Sequence, residues 1–274
     1  MVLATLDGRL DEAAEEGARL AASAEEPGSA LYVWQAAYDS SLYPLLLLGR
    51  LREAPAVVAR EVATGTTRGP IREAQRALCL AHLGQSGEAK DLLRGFLGGQ
   101  AEGSYTVFQT LLLEAAVLAG YREAVVELMP SLTGTAALLA TNDGIIACIG
   151  RHLGAGAALL GDFEGAKGYY QQGLEVCRKV RFRPEVALIR LAIAELQLDE
   201  AVSYQRSAVS GPPAPPGRRG RPRSQGAPGE AKLMADKLKA EGLAHLDFAI
   251  GEFREMKMQP ALERALKHKG LLRA

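Results

Sequence analysis

The chain is poor in aromatic residues, has few cysteines and carries no net charge. Aromatic side chains make up 5% of its 274 residues, and there are 3 cysteines. Lys+Arg number 32 and Asp+Glu also number 32. Three widely spaced cysteines give no disulfide framework and no zinc pattern, so we expect three small buried residues in a reducing environment. Balanced charge argues against a dedicated nucleic-acid or membrane-surface binder.

The sequence also lacks a long apolar run. The densest stretch, from Leu42 to Leu48, is interrupted by a tyrosine and a proline. It is far shorter than the roughly 20 residues that span a bilayer. The first residues show no basic segment followed by an apolar one, as a signal peptide would. We therefore expect a cytoplasmic protein with no membrane partner.

Alanine and leucine are the most abundant residues of the chain, and they favour helix over strand and predict an all-α fold.

A short turn signature recurs five times, in which a glycine is followed four or five residues later by an alanine. The glycines are Gly8, Gly49, Gly84, Gly120 and Gly161, and the alanines are Ala13, Ala54, Ala89, Ala124 and Ala166. Glycine tolerates the left-handed conformation that ends many helices, and a small alanine lets two helices approach closely. Successive glycines lie 35 to 41 residues apart. That period fits two helices of about 12 to 18 residues with short loops, so the signature predicts about six helical hairpins.

Prolines mark the opposite ends of these hairpins. Pro70, Pro184 and Pro260 each precede a strongly helical run, and proline suits the first helical position because its missing N–H would be unpaired there. Residues 145–149 are interpreted as helical, in register with the helix that follows them. The pattern predicts about twelve helices in all.

Residues 206–229 break the pattern with six prolines, five glycines and five arginines, four of which cluster at 218–223. This composition predicts a disordered insertion between a repeat array at 1–205 and capping helices at 230–274. Three interpretations are open. The segment is a tolerated loop, which we favour, or a proline-rich ligand centred on Pro213 to Arg218, or an arginine cluster that touches nucleic acid or another acidic surface.

Sequence motifs of catalysis are missing. There is no GxxxxGK[ST] phosphate loop, no HExxH and no GxSxG. The four histidines, at positions 82, 152, 245 and 268, lie far apart, and His152 is interpreted as a helix-surface residue. Trp34 and its neighbouring tyrosines 32, 38 and 43 are interpreted as core, with a peptide-binding hot spot as the alternative. We expect no enzymatic activity, no cofactor and no metal.

One copy of the signature carries more than the glycine and the alanine. It places a Leu-Gly pair, the turn glycine, an aromatic residue two positions later, the alanine and a tyrosine at regular spacing: Leu153, Gly154, Gly161, Phe163, Ala166 and Tyr170. This pattern resembles the tetratricopeptide repeat. The resemblance implies a right-handed α-solenoid of about six hairpins that binds a protein or peptide in its concave groove.

A narrower resemblance is carried by residues 149–198 together with 245–269, and it covers most of residues 1–205 and 230–272. These segments look like the C-terminal helical region of bacterial signalling proteins that combine a class III nucleotide cyclase or a LuxR-type domain with a STAND-type ATPase. The resemblance implies a regulatory or sensor scaffold, fused to or associated with an ATPase or cyclase. It also leaves open an alternative function, the sensing of a small ligand. A closed helical bundle is the competing fold.

Overall fold

The computed structural model describes residues 1–24, 31–54, 69–99, 105–142, 145–209 and 228–273. Within these ranges the chain forms twelve α-helices, one 3-10 turn at Thr133–Thr135 and one β-hairpin, so the predicted all-α class is confirmed. The helices are α1 (Val2–Asp7), α2 (Leu10–Ala24), α3 (Leu31–Leu48), α4 (Pro70–His82), α5 (Ser86–Arg94), α6 (Thr106–Leu118), α7 (Arg122–Leu132), α8 (Ile149–Leu160), α9 (Phe163–Lys179), α10 (Arg183–Val209), α11 (Pro228–Glu255) and α12 (Gln259–Arg273).

The five glycines of the turn signature all have a positive φ, between 63° and 87°. Gly161, for example, follows the last residue of α8 with a φ of 87°, and its N–H bonds the carbonyl of Ala158. A left-handed residue of this kind lets the chain reverse within three residues, because the next helix begins at Phe163. The five alanines of the signature are completely buried. Each turn is therefore followed by a point of close contact between helices.

Six helices pack against one another in a continuous series. They are the four helices that end at the turns of Gly49, Gly84, Gly120 and Gly161, together with the proline-led helices α10 and α12. Helix α4 contacts α6, α6 contacts α8, α8 contacts α10, and α10 contacts α12. Helix α12 in turn contacts α3, near the start of the chain. We call these six helices the inner helices. The remaining helices pack outside them, α5 on α4, α7 on α6, α9 on α8 and α11 on α10.

The two ends of the described chain meet directly. Lys257 Nζ lies 2.7 Å from the Asp11 carboxylate, and α1 packs on α10. The turn at Gly8 is pressed against Met256, so that a Cβ at this glycine would lie 2.3 Å from the methionine sulfur. A second turn glycine, Gly49, packs on Pro260 in the same way. The turn signature does not predict these end-to-end contacts, because each copy describes only one hairpin.

Two short strands correct the helical interpretation of residues 145–149. Strand β1 (Leu139–Asn142) pairs antiparallel with β2 (Ile145–Cys148), with Leu139 opposite Cys148, and the helix begins only at Ile149. All four residues of β2 are buried, and the strand contacts both α3 and α6. A short run rich in β-branched residues that is enclosed on both sides suits a strand better than a helix.

Helices extend into both ends of the segment 206–229, which the sequence predicts to be a disordered insertion. Helix α10 continues to Val209 and α11 begins at Pro228, so both ends of the 206–229 segment are helical. Residues 210–227 lie outside the described part of the chain. The prolines concentrate at 212–228, which explains why the helix continues through 206–209, where the sequence is Arg-Ser-Ala-Val. Among the described residues, no helix is both long and apolar enough to cross a membrane.

Candidate functional site

The residues singled out in the strongest repeat copy form the contact between α8 and α9. Leu153 is fully buried, and a Cβ at Gly154 would lie 2.4 Å from a ring carbon of Tyr170. Tyr170 is itself buried against this glycine, whereas Phe163 is 38% exposed at the start of α9. The other signature residues are the glycines and buried alanines at the turns. All of them shape the backbone, and none carries chemistry.

A cluster of polar side chains occupies the interior between the inner helices, and we call it the central polar cluster. It takes one or two residues from each of five inner helices: Tyr43 from α3, His82 from α4, Glu114 from α6, Arg151 and His152 from α8, and Glu185 from α10. Four of these side chains are less than 10% exposed. Residues more than 140 positions apart in sequence thus meet at one point in the fold.

Arg151 is the hub of the central polar cluster. Its Nε donates to Glu185 Oε2 at 2.5 Å, and its Nη2 donates to Glu185 Oε1 at 3.0 Å. The same Nη2 lies 3.4 Å from Glu114 Oε1 and 3.1 Å from His152 Nε2. The Tyr43 hydroxyl donates to the second oxygen of Glu114. The two buried carboxylates are therefore compensated by one guanidinium and by neutral donors.

Burial and charge act in opposite directions on the groups of this cluster. Burial alone would raise the pKa of Glu114, but His152, Arg151, His82 and the hydrogen bond from Tyr43 lower that pKa to about 2. Burial, with Arg151 beside it, lowers the pKa of His152 to about 3. At neutral pH this histidine is therefore uncharged, and its Nε2 accepts a hydrogen bond from Arg151. Burial raises the pKa of Glu185 although Arg151 opposes the shift.

The interpretation of His152 as a surface residue is wrong. Its side chain is 1% exposed and lies 3.9 Å from Glu114. The sequence does indicate that His152 is buried, because it is one of few polar residues in an apolar helix. Glu114 is the only charged residue in α6, and Arg151 and His152 are the only charged or ionisable residues in α8. Polar residues isolated in apolar helices face the interior only when they have partners, and the partners here come from distant helices.

A second polar site lies on the outside of the molecule, in a groove between α9, α10 and α11. We call it the basic groove. It has a volume of about 280 Å³ and is lined by Lys167, Gln171, Leu174, Arg178, Arg190, Ile193 and His245. Three of these side chains are cationic and none is a carboxylate. Leu174 and Ile193 supply apolar surface at its base.

The cations of the basic groove differ in their partners. Lys167 Nζ is 2.9 Å from each of two glutamates, Glu164 and Glu200. Arg178 and Arg190 have no carboxylate within ion-pair distance among the described residues, and the Nε atom of Arg190 is buried without a hydrogen-bond acceptor. Instead, the Arg190 guanidinium lies 4.8 Å from the centroid of the Phe248 ring.

Positive charge accumulates in this groove. Burial lowers the pKa of Arg190, and the neighbouring Arg178 lowers it further. Burial also lowers the pKa of His245, with Arg190 and Arg178 acting in the same direction and Glu241 against it. His245 Nδ1 lies 3.3 Å from Arg190 Nη1. Two guanidinium groups are thus held close together with no anion of the described chain between them.

Other chemistry is not apparent in the described part of the chain. No group of three or more histidine, cysteine, aspartate or glutamate side chains is arranged to hold a metal ion there. Cys79, Cys148 and Cys177 are buried and free. Tyr43 is in the core, whereas the side chains of Tyr32, Trp34 and Tyr38 lie outside the described set.

No protein-family model, curated protein or solved structure matches the chain.

Proposed function

We propose that this chain is a protein–protein interaction array, built as a right-handed α-solenoid of about six tetratricopeptide-like hairpins. In this proposal it is the regulatory or sensor part of a cytoplasmic bacterial signalling protein, fused to or associated with an ATPase or cyclase. The five turns with a left-handed glycine and a buried alanine support the repeat origin. Repeat arrays of this kind use their helical surfaces for binding rather than for catalysis.

The observation that carries the proposal is the basic groove. Its lining combines two apolar side chains with two guanidinium groups that have no carboxylate partner among the described residues, which is typical of a surface that recognises a complementary charged segment. Its volume of about 280 Å³ is just below the roughly 300 to 1,000 Å³ of pockets that enclose small molecules. A few side chains of a bound peptide fit such a groove better than a fully enclosed ligand.

The inner surface of the array is the place where the repeat resemblance puts a partner, but it is already filled. The inner helices direct Tyr43, Glu114 and Arg151 towards one another, and these groups form hydrogen bonds within the central polar cluster. A partner entering there would have to break these buried bonds. We therefore assign binding to the basic groove on the outside.

A library of immobilised random peptides, synthesised with and without phosphorylated residues, tests this function. Gln171 lines the groove and Gln172 is the next residue of α9, and both are exposed. We expect peptides that bind the whole chain with dissociation constants in the micromolar range typical of short segments. We expect Gln171→Trp to abolish binding by filling the groove, whereas Gln172→Trp retains it. Absence of any binding peptide, or equal loss in both variants, would overturn the assignment.

The alternative function is the sensing of a small ligand, and the central polar cluster is the observation that favours it. A ligand that replaced the Tyr43 hydroxyl beside Glu114 would have to stabilise the fold. A thermal-shift screen of small metabolites checks this alternative. A rise in melting temperature that is larger in Tyr43→Phe, where the hydroxyl that competes with the ligand for Glu114 is absent, and that persists in Gln171→Trp, would support it over peptide binding.

A further inference from the structure

The arginines of the basic groove hold a charge that nothing in the described chain neutralises. Arg178 and Arg190 belong to adjacent helices, α9 and α10, and both line the basic groove. Burial lowers the pKa of Arg190, and the charge of Arg178 lowers it further. Other arginines of the described chain are paired: Arg183 has two glutamates, and Arg264 has one. Like charges held together without a counterion indicate a site for an external anion.

We propose that the basic groove is a binding site for a phosphoryl group. Two unpaired guanidinium groups supply two positive charges, and a phosphate monoester supplies about −1.5 to −2 at neutral pH. A carboxylate would neutralise only one of them. Guanidinium groups also match the geometry of phosphate oxygens, because each presents several N–H donors in a planar fork.

The surroundings of the two arginines fit a phosphoryl group attached to an apolar body. Leu174 and Ile193 supply the apolar part of the groove lining. The ring of Phe248 packs on the face of the Arg190 guanidinium, which fixes the plane of the fork. His245 contacts Arg190 through Nδ1, so an anion bound there favours protonation of this histidine and gains a further donor.

The inference concerns the same groove as the proposed function. Binding of a phosphoryl group does not depend on that function, but the idea that a partner protein carries this group rests on it. A phosphorylated residue of a partner protein and a free phosphate monoester share the recognised chemistry. The experiment therefore uses simple probes first. Phenyl phosphate and benzoate have the same apolar ring and differ in their anionic group, which makes them a matched pair.

Isothermal titration of the whole chain with these two probes tests the site. We expect phenyl phosphate to bind at least about tenfold more tightly than benzoate. Arg190→Gln and Arg178→Gln should each weaken phenyl phosphate binding by about 10- to 100-fold, the range for loss of a charged hydrogen bond. Arg94→Gln is the control. It removes an exposed arginine that is paired with Asp91 on α5, and should leave the affinity unchanged.

Equal affinity for phenyl phosphate and benzoate, or unchanged affinity in the Arg190 variant, would overturn the inference. Circular dichroism and a melting curve of each variant separate a lost site from a lost fold. A third probe, a peptide containing phosphotyrosine, distinguishes the two sources. If it binds more tightly than phenyl phosphate, the phosphoryl group belongs to a partner protein, and if more weakly, to a small ligand.

The outcomes also separate this inference from the proposed function. Unphosphorylated peptides that bind in the groove, with no preference for phenyl phosphate, would support a peptide site and refute the phosphoryl site. Tight binding of phenyl phosphate without any binding peptide would support the phosphoryl site and refute the peptide site.

Discussion

The central polar cluster and the basic groove are built around the same pair of side chains, an arginine in contact with a histidine. Inside, Arg151 touches His152 at 3.1 Å and also holds two carboxylates. Outside, Arg190 touches His245 at 3.3 Å and holds none. The inner pair is complete within the chain, whereas the outer pair lacks a counterion. The same two residue types are therefore neutralised within the chain at one place and left without a counterion at the other, which is why we propose stability as the role of the first site and recognition as the role of the second.

The strongest test of this comparison removes the hub of the inner cluster. Arg151→Met leaves Glu114 and Glu185 buried without a cation, which should cost about 3 to 5 kcal/mol in the free energy of unfolding. Urea denaturation measures the change. Adding Glu114→Gln and Glu185→Gln to the same chain should recover most of it, because the uncompensated charges are removed.

Arg94→Met is the control for that loss. Arg94 pairs with Asp91 and both side chains are exposed, so its removal should cost less than about 1 kcal/mol. A cost for Arg151→Met that is no larger than that of the control would mean that the inner cluster does not stabilise the fold.

A second test asks whether both sites depend on one helix contact. Gly154 lies one turn after Arg151 in α8, and its partner Tyr170 lies in α9, the helix that carries Arg178. Gly154→Ala should cost about 1 to 3 kcal/mol through overpacking and should also weaken phenyl phosphate binding. Gly168→Ala, in α9 with open space around the new methyl, is the matched control and should not destabilise the protein.

The third test uses the pH dependence of stability. The pKa of His152 is about 3 in the folded protein and close to its ordinary value of 6.5 when unfolded. Below pH 6.5 the unfolded chain therefore binds a proton that the folded chain does not. The free energy of unfolding should fall by about 1.4 kcal/mol per pH unit for this group as pH falls from 6.5 towards 3.

Glu114 adds a loss of the same sign below pH 4.5, because its pKa is about 2 in the folded protein. Glu185 opposes both, since burial raises its pKa. Urea titrations at pH 7 and pH 5.5 measure the combined slope. His152→Gln keeps an acceptor for Arg151 and should flatten the slope, and an unchanged slope in this variant would show that His152 is not its source.

The smallest change in the free energy of unfolding is expected for Arg190, the arginine of the basic groove. Arg190→Met should change the free energy of unfolding by no more than about 0.5 kcal/mol, because no described carboxylate loses a partner and the methionine can still pack on Phe248. The same substitution type at Arg151 is expected to cost several times more. A comparable loss at both positions, measured by urea denaturation, would remove the distinction between the two sites.

The features predicted from sequence are those that depend on local residues. The left-handed turn at Gly161, the helix start at Pro70 and the helix start one residue before Pro184 follow from backbone preferences of single residue types. The helical class follows from composition. The strand at Ile145–Cys148 was missed because its partner and its enclosure by α3 and α6 decide its conformation.

The candidate sites were out of reach for a related reason. Glu114 and Arg151 are 37 positions apart, and Arg190 and His245 are 55 apart. No spacing rule joins them, because each pair depends on how separate helices are aligned. The isolated polar residues in α6 and α8 indicate that each of them needs a polar partner in the core. They do not indicate which residues those partners are.

The contact between the two ends of the described chain bears on how the molecule comes apart. An open stack of repeats can fray from either end, since its terminal unit touches only one neighbour. Here α12 rests on α3 and α1 rests on α10, so each end is covered by the other. Loosening one end therefore uncovers the other as well. Such closure favours a single cooperative unfolding transition in place of gradual unzipping, and it makes the first and last hairpins the costliest to delete.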